Sequence, residues 1–315
     1  MKFPSKKKRV GFLGTVVVAL SAMLLATGCG SSSGGSGGGS SADTGTIVIG
    51  SKNFTENQIL AQMFADLIKA NTKMNVVLKQ DMGGTFVVFN ALKANQIDVY
   101  PDYTGTGYVE ILKQPKPKSE QAMYNYVQAQ YQKKWGLEWL KPFGFNDTYA
   151  LAIPQSLAQK DNIDTTSQLV KYAPQLTAGI DAECQNRPDC LPGLEKVYGL
   201  HFKNVLTIDH SLVYTAMQAG KIQITDAFTT DGGLEKYHLK VLKDDKNFFP
   251  AYFAAPVIRM DFLKAHPEIK GILNKLAGQI SNTEMEHLDY EVDISKQTIP
   301  NVAKAFLVSK GLLKG

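Results

Sequence analysis

From Thr46 onward the chain repeats one pattern: a short apolar run of strand length, a stretch whose apolar residues fall at helical spacing, then another short run. TIVIG opens it. Thr55-Glu56-Asn57-Gln58 then has capping-box spacing, ahead of Ile59, Leu60, Met63, Phe64, Leu67 and Ile68, which share one helical face. NVVLKQ follows as a strand, a second helix runs through Phe86 to Ala94, and Ile97–Tyr100 is the next strand. LTAGI, NVLTI and KIQITDAF continue the alternation beyond Leu151. Strands alternating with helices predict α/β architecture with parallel strands, because each crossover helix returns the chain to the same end of the sheet. The charge-rich segments 119–135 and 261–293 read as helices with solvated faces, QPKPK at 114–118 as a Pro-broken surface loop, and no internal repeat of fixed period is present.

The N-terminal segment obeys different rules. Lys2, Lys6, Lys7, Lys8 and Arg9 precede the apolar run VGFLGTVVVALSAMLLATG, the n-region and h-region of a secretory signal. The run also approaches the roughly 18 to 20 residues of a membrane span, so an uncleaved anchor is the alternative. Ala26-Thr27-Gly28-Cys29 resembles a bacterial lipobox, with Ala26 where Leu is preferred. The expected organisation is a lipoprotein signal at 1–28 and a lipidated Cys29, which would fix the protein to the extracytoplasmic face of the cell membrane. A tether over 29–44 follows, whose residues Gly30 to Ser41 are all Gly or Ser and behave as a coil of roughly 20 Å span. Five of the chain's 34 Lys and Arg lie in residues 1–28, which hold no Asp or Glu, so the remainder just balances the 29 acidic residues. Net charge then gives no argument for nucleic-acid binding.

Residues 29–315 suffice for two lobes of ordinary domain size. With Cys29 lipidated, Cys184 and Cys190 remain, with five residues between them, in an exported chain where oxidation is permitted. They read as a small disulfide loop or two free thiols; no His lies near enough in sequence to make a metal site. The histidines (His201, His210, His238, His266, His287) form no ligand spacing, and no G-x-S-x-G, Walker A loop or G-x-G-x-x-G occurs. The residues thus argue against an enzyme, and no cofactor is implied.

Binding is the better-supported chemistry. In α/β domains ligands sit beyond the carboxyl ends of parallel strands, and Asp102-Tyr103-Thr104-Gly105-Thr106 follows such a strand. Gly105 permits close backbone approach, the threonine hydroxyls offer hydrogen bonds, and Tyr103 offers a ring face. FGFNDTYAL at 143–151 places Asp147 near Tyr149, AECQNRPDCLPGL at 182–194 carries Arg187, and DAFTTDGGL and FFPAYFAAP put Phe228 and Tyr252 at loop positions.

Taken in order and spacing, GSKNFTENQIL, YPDYTGTGY, FNDTY, RPD…LPGL, TTDGGL and FPAYFAAPV resemble the substrate-binding proteins of ABC importers for quaternary-ammonium osmoprotectants. The resemblance runs from Thr46 to the C-terminus. It implies a two-lobed α/β fold of the periplasmic-binding-protein type (type II), hinged, with the ligand in the cleft. Lobe 1 would comprise 45–146 plus 253–315, and lobe 2 would comprise 147–252. It further implies a monomer that captures glycine betaine, carnitine or choline and hands it to ABC permease and ATPase subunits. Carried over by residue, Tyr103, Tyr149, Phe228 and Tyr252 would cage the trimethylammonium group, whose lack of N–H leaves ring quadrupoles and methyl packing to hold it. Lys52, Thr106 and Arg187 would take a ligand carboxylate, Asp147 would stand beside the cage, and Thr85 lies in a region that in relatives helps divide choline from broader specificity.

Each assignment has a rival. Lys52 reads equally as a solvated charge at a strand end, Arg187 as an ion-pair partner of Asp189 or Glu183, and Phe228 as core. Three positions depart from the family pattern: Phe228 is commonly Tyr, and Cys184 and Cys190 replace Phe and Gly. Another polar nutrient, such as an amino acid, is the alternative ligand, and a secreted enzyme or adhesin the alternative class.

Overall fold

The computed structural model describes residues 45–115, 117 and 119–314. The signal segment, the tether and Cys29 lie outside the described residues, as do Lys116 and Lys118 of the expected surface loop. Strands β1 (Thr46–Gly50), β2 (Asn75–Lys79), β3 (Val99–Tyr103), β4 (Leu137–Trp139), β5 (Tyr149–Pro154), β6 (Thr177–Ile180), β7 (Asn204–Thr207), β8 (Ile224–Phe228), β9 (Leu239–Val241) and β10 (Ala254–Arg259) form two five-stranded sheets. Their orders are β2-β1-β3-β10-β4 and β7-β6-β8-β5-β9. The two share one plan, with β6, β7, β8, β5 and β9 standing where β1, β2, β3, β10 and β4 stand, although the sequence carries no repeat.

The apolar periodicity maps onto this plan closely. In β1, Ile47 and Ile49 are fully buried; in helix α1 (Thr55–Asn71) so are Ile59, Leu60, Met63, Phe64, Leu67 and Ile68. At roughly 1.5 to 3 kcal/mol per buried large aliphatic or aromatic side chain, this helix anchors its sheet. Its start differs from the expectation: the N-cap is Phe54, no side chain caps it, and Thr55 Oγ1 instead donates to Asp293 Oδ1 at 2.6 Å. A tertiary partner took the hydroxyl that spacing had assigned to a local cap.

The sheets are mixed rather than parallel. β1 runs parallel to β2 and β3, and β6 to β7 and β8, but β10 runs antiparallel to β3 and β4, and β5 to β8 and β9. β5 and β10 each arrive from the other sheet through a loop and not through a crossover helix, so nothing forces their direction. Pairing with β10 also carries β3 on to Tyr103, opposite Ala254, so Asp102 and Tyr103 are strand residues and not part of the loop beyond. The chain therefore passes between the sheets twice, and the two crossing segments meet at an Asn146–Phe253 bridge. Tyr252 N–H donates to Asn146 Oδ1 at 2.6 Å, and Asp147 N–H to Tyr252 O at 3.2 Å. Among the described residues no helix is long and apolar enough to cross a membrane.

Candidate functional site

The loops that follow β1, β3, β6 and β8 at their carboxyl ends converge, and between them lies a narrow cavity of about 40 Å³ lined by residues of both sheets. Its aromatic wall is a chain of rings. Tyr103 faces Phe54 at 5.9 Å between centroids, Phe54 stacks on Phe228 at 5.5 Å, Phe228 meets Tyr149 at 4.9 Å, and Tyr149 meets Tyr252 edge-on at 5.5 Å. His210 adds a sixth ring, 4.6 Å from Phe228. Tyr252 can lie flat against the turn after β3 only because position 105 is glycine: a Cβ there would sit 2.5 Å from its ring carbons.

The hydroxyls of Tyr103 and Tyr252 are tied to buried carboxylates. Tyr103 Oη donates to Glu56 Oε1 at 2.6 Å, and Tyr252 Oη donates to Asp189 Oδ2 at 2.7 Å. These bonds fix ring orientation. Beyond Tyr103, Thr230 Oγ1 lies 2.7 Å from Glu56 Oε2 and 2.8 Å from Asp147 Oδ1. A hydroxyl has one hydrogen to give, so between two carboxyl oxygens it donates to one and accepts from the other. Two full bonds here require a proton on one of the two acids. Their electrostatics agree: burial, then repulsion from Asp147, pushes Glu56 well above the usual range, and burial, then repulsion from Asp231, pushes Asp147 up to about 7. For His210, burial alone would lower the pKa, but Asp231, 2.9 Å away, carries it up to about 10.

The opposite end of the cavity holds Lys52 and Arg187. Lys52 is buried and paired with Asp102 at 2.8 Å, not solvated, and its Nζ stands 5.2 Å from the Tyr103 ring centre. Arg187 is likewise buried; Nε and Nη2 grip Asp189 at 2.9 and 2.6 Å, and Nη2 reaches Thr106 Oγ1 at 3.3 Å. Its carbon Cζ lies 5.3 Å from the Tyr149 ring centre. Cys184 and Cys190 form a disulfide that closes the loop presenting Arg187, and Leu191 N–H donates back to Cys184 O at 3.1 Å. Asp226 lies against these sulfurs, and burial raises its carboxyl to about 7.

Of the residues named from sequence, Tyr103, Tyr149, Phe228, Tyr252, Lys52, Thr106, Asp147 and Arg187 all line the cavity; Thr85 does not. Its neighbour Gly84 takes that place, and Thr85 hydrogen-bonds Glu183. Sequence reasoning missed Phe54, His210 and Glu183 as wall residues. Phe54 stood in the quoted GSKNFTENQIL segment two residues after Lys52, which was signal enough; Glu183 was named only as a rival partner of Arg187, and His210 had no signal. Beyond Phe54, Asp147, His210 and Phe228 a second, larger chamber of about 390 Å³ opens, lined among others by Glu56, Asp231, Asp289 and Asp293.

A cleft between two sheets of one plan, walled by aromatic rings, defines a two-lobed small-molecule binding protein. Residues 45–309 match the OpuAC family, the substrate binding domain of ABC-type glycine betaine transport systems, and the chain belongs to that family, whose members bind substrates for transport and are not enzymes. It is 33% identical to the carnitine transport binding protein OpuCC of Listeria monocytogenes serotype 1/2a (strain 10403S), over 98% of this chain and 99% of that one. It is 36% identical to the ergothioneine transport permease/ergothioneine binding protein EgtU of Helicobacter pylori (strain G27), over 84% of this chain. It spans only 48% of the length of that relative. A crystal structure of a glycine betaine/carnitine/choline ABC transporter superposes with a TM-score of 0.69 at 33% identity, over 84% of this chain and 99% of that one.

Proposed function

We propose that Tyr103, Tyr149, Phe228 and Tyr252, with Phe54, cage the trimethylammonium group of an osmoprotectant such as glycine betaine, carnitine or choline. The observation that carries this reading is the continuous ring wall, contributed by both sheets and backed at one end by Glu56 and Asp147. The Thr106 hydroxyl and the Arg187 N–H beside it suit a polar tail, so the ligand enters with its head group toward Asp147 and its tail toward Thr106. Each desolvated cation–π contact supplies roughly 2 kcal/mol, so three or four supply most of the roughly 8 kcal/mol that micromolar binding needs.

The cavity is too narrow to admit such a ligand without movement. Lobe 1 (45–146 plus 253–315) and lobe 2 (147–252) part at the paired crossing segments beside Asn146 and Phe253, then close over the ligand. The closed form, held by lipidated Cys29 at the outer face of the membrane, is what a permease with its ATPase subunits recognises. The chain acts as a monomer.

The large acidic chamber favours one further ligand. Ergothioneine is itself a trimethylammonium betaine, with a thione-bearing imidazole ring, and the 390 Å³ chamber adjoining the ring wall has room and hydrogen-bond acceptors for that ring.

Calorimetric titration with glycine betaine, carnitine, choline, ergothioneine and unmethylated glycine tests the proposal. Binding of methylated ligands without binding of glycine is the expected result; glycine bound as tightly as glycine betaine would show that the rings do not select the head group.

A further inference from the structure

Glu183 stands where the tail of the ligand is meant to go. It follows β6 in lobe 2, yet its carboxylate reaches across the cleft to the start of helix α2 (Thr85–Lys93) in lobe 1. Thr85 N–H donates to Glu183 Oε1, and Thr85 Oγ1 donates to Oε2 at 3.0 Å. Arg187 Nη1, the guanidinium nitrogen that Asp189 leaves over, faces Oε2 at 3.7 Å. A side chain at position 84 would collide with Oε1, so the close approach depends on glycine there. A carboxylate held by a helix-start N–H, a threonine hydroxyl and an arginine is bound as a ligand carboxylate would be.

Charge balance points the same way. Each cation at this end already has a carboxylate of its own, Lys52 in Asp102 and Arg187 in Asp189. Glu183 is additional to these, and Asp181, which accepts from Glu183 N–H at 2.8 Å and lines the same cavity, is another, so two cations face four carboxyl groups before any ligand arrives. The Glu183 side chain is a third exposed, free enough to swing aside. Its backbone is not: Arg187 N–H and Asn186 N–H both donate to Glu183 O, and the Cys184–Cys190 disulfide begins at the next residue.

We infer that Glu183 is a specificity-determining residue that occupies the anion end of the cleft and turns the site against ligands carrying a carboxylate, in favour of cationic alcohols such as choline. The inference rests on the quaternary-ammonium reading above. A betaine must displace Glu183 or bring a second carboxylate beside it, and like charges so placed cost on the order of several kcal/mol. Choline meets no such opposition, and its hydroxyl can donate to Glu183.

The test is calorimetric titration of the wild-type chain, Glu183→Gln and Glu183→Ala with choline and with glycine betaine. Gln keeps the shape and removes the charge; Ala removes the plug as well. The expected result is a rise of about tenfold or more in the affinity for glycine betaine relative to choline, in both variants. A ratio within twofold of wild type in both overturns the inference. Failure of the wild-type chain to bind either ligand is a separate outcome, which contradicts the proposed function itself and the inference with it.

Discussion

The hydroxyl of Thr230, set between Glu56 and Asp147, makes the protonation of this site a matter of hydrogen count. An aspartate in an unfolded chain ionises near about 3.9, whereas Asp147 keeps its proton up to about 7. Between those values the folded chain binds more protons than the unfolded one, so the contribution of Asp147 to stability is present below the window and is lost as pH rises through it. Asp147→Asn cannot ionise. Its melting temperature, relative to wild type, is expected to rise between pH 4.5 and 7.5 by several degrees; a pH-independent difference would contradict the assignment. A bound cation favours ionised Asp147, so choline affinity should fall from pH 8 to 5.5 in the wild type and stay flat in the Asn variant. For the rings, Tyr103→Ala should weaken choline binding by about 30-fold, one cation–π contact of roughly 2 kcal/mol, while Tyr103→Phe should stay within a few-fold. Most of these residues were legible through the resemblance that six ordered motifs carry, since a Tyr beside Gly, Thr and Asp at a strand end is by itself a weak signal. Glu183 was legible only as a rival partner for Arg187, since nothing in a sequence gives the distance across a cleft.

Among the elements, the loop between β6 and the following helix carries the most consequence per residue. Its disulfide closes a short ring, and removing it as Cys184→Ser with Cys190→Ser should cost about 2 kcal/mol by loop-closure entropy, read as a lower midpoint in chemical denaturation. Ligand affinity should fall as well, because Arg187 and Glu183 then have to be ordered on binding. An unchanged midpoint and affinity would assign the bridge no role. The turn after β3 has a different weakness: Gly105→Ala would drive a methyl into the buried Tyr252 ring and against the backbone oxygen of Ala251, and should impair both folding and binding. Strands β1, β2, β3, β6, β7 and β8 and helix α1 were readable from the pattern of apolar residues, because burial of Ile47, Ile49 and the α1 face is what periodicity encodes, whereas β4, β5, β9 and β10 were not read as strands. The directions of β5 and β10 were not readable either, because a strand reads the same in either direction. The capping-box spacing at Thr55 misled because Asp293, distant in sequence, is the stronger partner.

Across the whole molecule, function depends on two sheets of the same plan bringing their carboxyl-end loops to one place. The order of the quoted motifs along the chain already implied two lobes; which loops touch did not follow from it, nor did the second chamber. Ligand that binds only the folded chain must stabilise it, by about 2.7 kcal/mol at a hundred times the dissociation constant, so the thermal midpoint should climb with choline concentration and not with glycine. The most direct measurement is a crystal structure of the protein grown with choline. The account predicts the quaternary nitrogen within about 6 Å of the ring centres of Tyr103, Tyr149, Phe228 and Tyr252, with the hydroxyl toward Glu183. Choline bound elsewhere, or with its methyl groups turned to Lys52 and Arg187, would contradict it.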